Sequence, residues 1–167
     1  MKNSFVAFFD ILGFKNLVEK NSHEDLIEIY KESLYESLDL TEKYTNPIYT
    51  AISPEQEKDS SSIRIFVISD SIILVQESLT ILGFYFLLAR CQVLLSTSLA
   101  DGIPLRGAIS YGPVSIIENR GTTIVGRGLT RAYTLEASQN WSGGMIDPEC
   151  FKILNPQNPQ AIIENLL

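Results

Sequence analysis

Two apolar runs in this chain each lead directly into an aspartate. The first, "FVAFFDILGF", places Asp10 after five apolar residues and then resumes with a glycine-containing apolar stretch. The second, "RIFVISDSIILV", interrupts a series of β-branched and apolar residues with Asp70. Continuous apolar runs of this length are typical of buried strands. The pattern predicts three strands, over 4–10, 63–68 and 71–76, and the last two form a hairpin with an acidic tip.

Longer amphipathic and apolar stretches separate these strands. The segment 22–44 predicts a helix that begins at Ser22 as N-cap and buries one face. The residues of that face are Leu26, Ile29, Tyr30, Leu34 and Leu38. The segment 78–102 is apolar nearly all round and contains Arg90, which favours a buried helix over a membrane span. The segment 45–62 has two prolines and no period, which predicts a surface loop.

The remaining segments complete an alternating order of elements. "PLRGAISYGPVSIIE" predicts a strand with a bend or bulge at Gly112 and Pro113, and "TTIVGRG" predicts a returning strand. "LTRAYTLEASQNW" predicts a helix, and "GGMIDPECFKIL" predicts a short strand and a helix.

The order β-α-β-β-α-β is that of a ferredoxin-like α+β domain, an antiparallel sheet with two helices on one face. We expect one domain over 1–167. The first strand should lie beside the second and third, which would bring Asp10 near Asp70.

Charge and composition narrow the classes of function. The net charge is −7 and no long basic patch is present, so a duplex nucleic-acid partner is not expected. His23 is the only histidine, which excludes a histidine-dependent triad and a histidine-rich zinc site. Cys91 and Cys150 are too few for a disulfide framework. With no recognisable signal peptide, we expect a cytoplasmic protein without a membrane partner.

The two aspartates raise a chemical question, because a buried lone carboxylate is costly or shifts its pKa until it becomes neutral. A pair of carboxylates fits Mg²⁺ or Mn²⁺, which take oxygen ligands and complete their shells with water and substrate phosphates. Gly13 would let the backbone approach an anion, and the helix start after it would present N–H groups to phosphate. A simpler interpretation stays open, in which Asp10 caps that helix and Asp70 is an exposed turn residue.

Four segments, in order, resemble the catalytic domains of class III nucleotide cyclases. "FFDILGF" resembles their "F-x-D-I-x-G-F" signature, and "ISDSIILV" resembles their second metal-aspartate hairpin. "LRGAISYGPV" is similar to their "R-x-G-I-x-x-G-x-V" strand, and "GRGLTRAYTLE" to their "G-x-x-V-N-x-A-x-R-x-E" helix. The single-domain size, "RGAISYG" and "AYTLEASQNW" most resemble the bacterial cyclases of Pycsar anti-phage systems, which make cyclic UMP or cyclic CMP.

The resemblance implies a set of site residues. Asp10 and Asp70 match the metal-binding aspartates, which would hold two ions of Mg²⁺ or Mn²⁺, and Arg106 matches an arginine near the phosphates. The resemblance also implies a homodimer with active sites at the interface, where the helix 129–137 would serve the partner's site. Four residues match the positions whose backbone contacts metal and phosphate: Ile11, Leu12, Gly13 and Phe14. Of these, Ile11 matches a metal ligand.

The helix departs from the family pattern. The transition-state asparagine of the family falls on Thr130, which could still donate a hydrogen bond to ribose. The transition-state arginine falls on Thr134, which cannot supply positive charge to a pentacovalent phosphate, and such donors are often worth a hundredfold or more in rate. Arg131 and Arg127 are the nearest cations that could substitute. As an alternative, these two arginines are solvated or pair with Glu136 and Glu118.

The base-reading positions also differ from the pattern. The adenine-reading lysine falls on Phe66, and the second base-reading position falls near Thr123. The loss of this lysine counts against an adenylate cyclase, and Phe66 is compatible with a pyrimidine. From the resemblance to the Pycsar cyclases we expect conversion of UTP or CTP to the 3′,5′-cyclic monophosphate and pyrophosphate, with the product read by a separate effector in anti-phage defence. Two alternatives stay open: a catalytically impaired nucleotide-binding or dimerisation module, and a purine cyclase.

Overall fold

A six-stranded sheet organises residues 2–52 and 63–164, which are the residues that the computed structural model describes. The strands are β1 Lys2–Ile11, β2 Ile63–Ile68, β3 Ser71–Gln76, β4 Leu105–Ile117, β5 Thr123–Val125 and β6 Gly143–Ile146. The helices are α1 Phe14–Lys20, α2 His23–Ile29, α3 Glu36–Ile52, α4 Ile81–Ala100, α5 Arg127–Ala137, α6 Pro148–Leu154 and α7 Pro159–Glu164.

The strand order is β2-β3-β1-β4-β5, and β6 pairs with β4 in parallel. The predicted α+β fold with an antiparallel sheet and helices is confirmed. The predicted neighbours of β1 were partly wrong, because β1 lies between β3 and β4 while β2 forms the edge. The two-residue hairpin pairs β2 with β3, so β1 can join only one outer edge of the hairpin, and it joins that of β3.

Alternation along β1 divides the core into two layers. The side chains of Phe5, Phe9 and Ile11 join the larger core on one face, with residues of α3 and α4. The side chains of Val6 and Phe8 join a smaller core on the other face, where α5 contributes Ala132 and Leu129. Because the side-chain period of a strand is two, Asp10 belongs to the same face as α5. Helix α5 therefore covers the face that carries the Asp10 carboxylate.

The predicted helix over 22–44 is present but irregular and longer than predicted. It begins with a capping box, in which the Asp25 amide donates to the Ser22 hydroxyl and the Ser22 amide to the Asp25 carboxylate, each at 3.2 Å. A π-helical turn over Tyr30–Tyr35 joins α2 to α3.

The predicted loop over 45–62 was wrong for its first eight residues, because α3 continues through Pro47 to Ile52. The buried face continues from Thr41, inside the predicted helix, to Thr45, beyond its predicted end. Both threonines are buried, and their hydroxyls donate to backbone carbonyls one turn earlier. The rest of that predicted loop, 53–62, lies outside the described residues.

Helix α4 is long and apolar enough in composition to cross a membrane. Here it packs on the sheet and contributes Phe84, Leu87 and Leu94 to the larger core. Arg90, only 3 % exposed, bonds the Glu42 carboxylate and the Asn46 amide oxygen of α3. These polar contacts to a neighbouring helix, together with the buried face, are those of a helix in a protein core.

The predicted bend or bulge at Gly112 and Pro113 is not a bulge. Both residues pair one-to-one with β1, opposite Ser4 and Asn3. The glycine has another role, since a Cβ at Gly112 would lie 2.9 Å from the backbone nitrogen of Gly128. Two glycines thus let the backbone of α5 rest directly on β4.

Candidate active site

The ends of β1 and of the β2–β3 hairpin meet at Asp10 and Asp70, which we call the aspartate pair. Asp10 lies opposite Ser71 in the sheet, and the Ile11 amide donates to the Asp70 carbonyl at 3.1 Å. Their carboxyl groups lie close enough for the charge of Asp70 to raise the pKa of Asp10. The alternative in which Asp10 caps the next helix is wrong, because Gly13, with φ 78°, is the N-cap of α1 and no side chain caps it.

The electrostatic surroundings of Asp10 disfavour its charged form. Partial burial, the nearby carboxylates of Asp70 and Glu136, and the hydrogen bond with Asp70 raise the pKa of Asp10 to about 6. Arg106 acts in the opposite direction but does not cancel these effects. The repulsion is the kind that a bound divalent cation relieves.

The donor set fits a magnesium-type site of few protein ligands. Among residues 2–52 and 63–164, no group of three or more histidine, cysteine or acidic side chains is arranged around a possible ion. Glu136, the nearest further carboxylate, is committed to Arg106. Two carboxylates at a surface-accessible position suit Mg²⁺ or Mn²⁺, which keep water and phosphate in the remaining positions. The aspartate pair, with the Ile11 carbonyl at the same strand end, are the groups that could hold such an ion.

Arg106 links the aspartate pair to α5. It lies opposite Asp10 in the register of β1 and β4, with its guanidinium 4.0 Å from the Asp10 carboxylate. Its Nε donates to the Glu136 carboxylate, which is 2 % exposed, and an Nη donates to the Gln139 carbonyl at 2.8 Å. This arginine therefore lies at the predicted place, but three groups of its own chain already hold its guanidinium.

The segment after Asp10 presents fewer free amides than the sequence predicted. The Leu12 amide already donates to the Pro104 carbonyl at 2.9 Å. The side chain of Phe14 packs against the larger core. Among the described residues, the amides of Gly13 and Phe14 donate to no backbone carbonyl outside the regular helices and strands.

The two candidate base-reading residues lie in different places. Phe66 of β2 pairs with Ile73 of β3, and Ile73 pairs with Phe8 of β1. Phe66 therefore lies two strands from β1, ~10 Å from Phe8, and on the same face of the sheet as the aspartate pair. The Arg64 guanidinium lies 5.4 Å from the centre of its ring. Thr123 pairs with Ile117, eleven residues along β4 from Arg106, or ~36 Å at 3.3 Å per residue. Within one protomer, Thr123 is therefore far from the aspartate pair.

The outer face of α5 carries the remaining candidates. The hydroxyls of Thr130 and Thr134 are exposed and donate to carbonyls of the helix itself, at 3.3 and 2.9 Å. Arg131 forms an ion pair with Asp147, the buried N-cap of α6. Arg127 is exposed and has no ion pair with another described residue. The acidic neighbours predicted for these arginines were wrong, because Glu136 pairs with Arg106 and Glu118 with Arg64.

Sequence reasoning missed two residues around Asp70. Ser69, the first residue of the hairpin turn, has φ 54°, which is uncommon for a residue other than glycine. The hydroxyl of Tyr30 donates to the Ser69 carbonyl at 2.7 Å. Burial and the charge of Asp70 raise the pKa of Tyr30, which keeps the phenol in its donating form. Apolar periodicity assigned Tyr30 to the core, and nothing in that pattern shows a partner 39 residues away.

Neither a protein-family model nor a curated protein sequence matches this chain. Solved structures match it at the level of fold. The guanylyl cyclase domain of the RhoGC fusion protein from the aquatic fungus Blastocladiella emersonii has a TM-score of 0.65 and 16% identity, over 91% of this chain and 84% of that one. A guanylate cyclase domain from Catenaria anguillulae in complex with GTP gives 0.61 and 15%, over 92% and 82%.

An adenylyl cyclase from P. aeruginosa, CyaB, gives a TM-score of 0.58 and 19% identity, over 93% of this chain and 82% of that one. The chain therefore has the fold of class III nucleotide cyclase catalytic domains, and that part of the resemblance is confirmed. The three structures include cyclases named for both purine bases, and identities of 15–19% show likeness of fold rather than of substrate.

Proposed function

We propose that this protein is a metal-dependent nucleotide cyclase that converts UTP or CTP to the 3′,5′-cyclic monophosphate and pyrophosphate. The observation that carries the proposal is the aspartate pair, brought together at neighbouring strand ends of a cyclase fold with the pKa of Asp10 raised to about 6. In the reaction, the ribose 3′-oxygen bonds the α-phosphorus, the bond to the β-phosphate oxygen breaks, and the 3′-hydroxyl proton passes to solvent.

Asp10, Asp70 and the Ile11 carbonyl would hold the ions. When bound, Mg²⁺ or Mn²⁺ would lower the pKa of the 3′-hydroxyl and neutralise charge on the phosphates. The amides of Gly13 and Phe14 would bind a phosphate oxygen, since they lie at the start of α1, where the first amides of a helix have no partner within it. Positioning and charge neutralisation, rather than covalent chemistry by the protein, supply the rate in phosphoryl transfer.

The outer face of α5 supports an active site shared between two protomers. Thr130 and Arg127 are exposed there, on the helix that also carries Glu136, the partner of Arg106. Exposed apolar side chains lie near them, including Tyr133 at 55 % and Val125 at 53 %. A homodimer would cover these residues and bring Thr130 to the ribose of the partner's nucleotide.

Arg127 is a better substitute for the missing transition-state cation than Arg131. The guanidinium of Arg131 is held by Asp147, whose carboxylate also accepts the Glu149 amide at 3.0 Å as the cap of α6. Moving Arg131 would leave a buried carboxylate without its cation, which is costly. Arg127 carries no such commitment among the described residues.

The choice of a pyrimidine rests on Phe66. This ring lies on the face of the aspartate pair where the family has a polar residue for adenine, so it offers a stacking surface and no donor to a purine edge. The role in anti-phage defence, with a separate effector that reads the product, rests on the resemblance to the Pycsar cyclases.

The decisive experiment incubates the purified protein with each of the four nucleoside triphosphates and Mn²⁺, followed by chromatographic analysis of products. We expect cyclic UMP or cyclic CMP, with none from the Asp70→Ala variant. A cyclic purine nucleotide as the main product would overturn the pyrimidine assignment and support the purine alternative. No cyclic product from any of the four would overturn the enzymatic proposal.

One observation favours a second candidate, a nucleotide-binding module without turnover. Both threonines at the positions of the family's transition-state residues have their hydroxyls bonded to the helix backbone. A non-hydrolysable triphosphate with Mn²⁺ should then raise the melting temperature although no product forms. Absence of both product and thermal shift would leave a structural dimerisation domain.

A further inference from the structure

The turn that carries Asp70 is held in an unfavourable backbone conformation. Ser69 and Asp70 form the two-residue connection between β2 and β3, and Ile68 pairs with Ser71 on either side. Ser69 has a positive φ, while Asp70 is not among the described non-glycine residues with positive φ. A positive φ at the first central position alone is the pattern of a type II′ turn, which prefers glycine there. Serine at this position needs support from outside the hairpin.

That support comes from two sides. The Asp70 carbonyl accepts the Ile11 amide at 3.1 Å, which ties the turn to the end of β1. The Ser69 carbonyl, in the peptide that leads into Asp70, accepts the Tyr30 hydroxyl at 2.7 Å. The two bonds fix the peptide groups before and after the Asp70 side chain, so together they set the direction in which its carboxylate points.

Tyr30 lies at an irregularity in its helix. It is the first residue of the π-helical turn, which inserts an extra residue and is frequent at functional sites. Its ring packs against the larger core and against Tyr35, edge to face with ring centres 6.3 Å apart. The ring is therefore anchored by packing, and only the hydroxyl extends to the hairpin.

We propose that Tyr30 is a positioning residue for Asp70, and that its hydroxyl, through the Ser69 carbonyl, holds the Asp70 carboxylate in place beside Asp10 for a divalent cation. The inference rests on the proposed function in so far as it assigns a metal to this pair. The helix layer on one face of the sheet thereby sets the geometry of a site on the other face.

The test uses Tyr30→Phe, which removes the hydroxyl and keeps the ring, with Tyr35→Phe as the matched control on the same helical turn. Two quantities are measured on the full-length protein without nucleotide: Mn²⁺ affinity by electron paramagnetic resonance, and hydrogen exchange of the Ile11 amide by NMR. We expect Tyr30→Phe to weaken Mn²⁺ binding about three- to tenfold, the equivalent of one hydrogen bond, and to accelerate exchange at Ile11 to a similar extent. Tyr35→Phe should change neither.

The two measurements separate the possible failures. If Tyr30→Phe leaves the Ile11 exchange rate unchanged, the hydroxyl does not hold the turn and the inference is overturned. If exchange accelerates but Mn²⁺ affinity is unchanged, Tyr30 is a structural residue only, and the positioning role is likewise overturned. If the unaltered protein binds no Mn²⁺, the metal assignment of the proposed function fails, and the exchange rate alone then decides whether Tyr30 holds the Asp70 turn.

Discussion

Replacing Asp10 by asparagine should stabilise the metal-free protein at neutral pH. In the folded state the pKa of Asp10 is about 6, against an ordinary value of 3.8. The folded protein therefore binds more protons than the unfolded chain between these pH values, so Asp10 makes stability fall as pH rises through this window. The difference corresponds to ~3 kcal/mol at 1.36 kcal/mol per pKa unit. Solvent reaches 27 % of the side chain, and screening there reduces the expected gain for Asp10→Asn to about 1–2 kcal/mol.

The assay is urea denaturation in EDTA, at pH 7 and at pH 4.5, for the unaltered protein, Asp10→Asn and Asp101→Asn. Asp101 is an exposed carboxylate at the end of α4 and serves as the control, with an expected change below about 0.5 kcal/mol at both pH values. The gain for Asp10→Asn should fall to less than half at pH 4.5, where the folded protein already carries the proton. A variant that is less stable than the parent at pH 7, or a gain that does not depend on pH, would refute this account of Asp10.

Three further outcomes are expected. Asp70→Ala should abolish cyclase activity and the Mn²⁺-dependent rise in melting temperature while circular dichroism stays unchanged; full activity would reject the proposed mechanism. Arg127→Ala should lower kcat about a hundredfold with little change in unfolding free energy. Arg131→Ala should instead lower the unfolding free energy by about 1–2 kcal/mol, because it leaves the buried Asp147 carboxylate without its cation. The reverse pattern would identify Arg131 as the cation that acts in catalysis. A thiol reagent should leave Cys91 and Cys150 unmodified in the native protein, because burial raises the pKa of both thiols, that of Cys150 to about 12. Rapid modification would show that the core around these cysteines becomes accessible to solvent in the native state.

Local pattern predicted the strands and the meeting of Asp10 with Asp70. The apolar runs around them encode strands directly, and a two-residue link between two strands leaves little choice of pairing. The position of β1 was predicted less well, because the choice between the edges of a hairpin depends on tertiary packing. The continuation of α3 through Pro47 was missed for two reasons. Proline is normally a signal that a helix ends, and the buried threonines that continue the helix face are polar, so the apolar pattern does not include them.

The contacts that complete the candidate site lay beyond sequence reasoning. Glu136 and Arg106 are 30 residues apart, and Tyr30 and Ser69 are 39 apart. Each contact follows from how a helix is rotated and placed against the sheet, and this is set by close packing of many side chains rather than by any short motif. Arg131 shows the same limit, since its partner Asp147 is identified only once β6 is placed beside β4.

The contact between Gly112 and Gly128 leaves no room for a side chain between α5 and β4. An alanine at Gly112 would displace the helix, which would shift both its buried residue Glu136, the partner of Arg106, and its exposed residues Arg127 and Thr130. Under the proposed function, substitutions that vary base preference should therefore begin at Phe66, which lies on the edge strand β2 and outside this glycine contact.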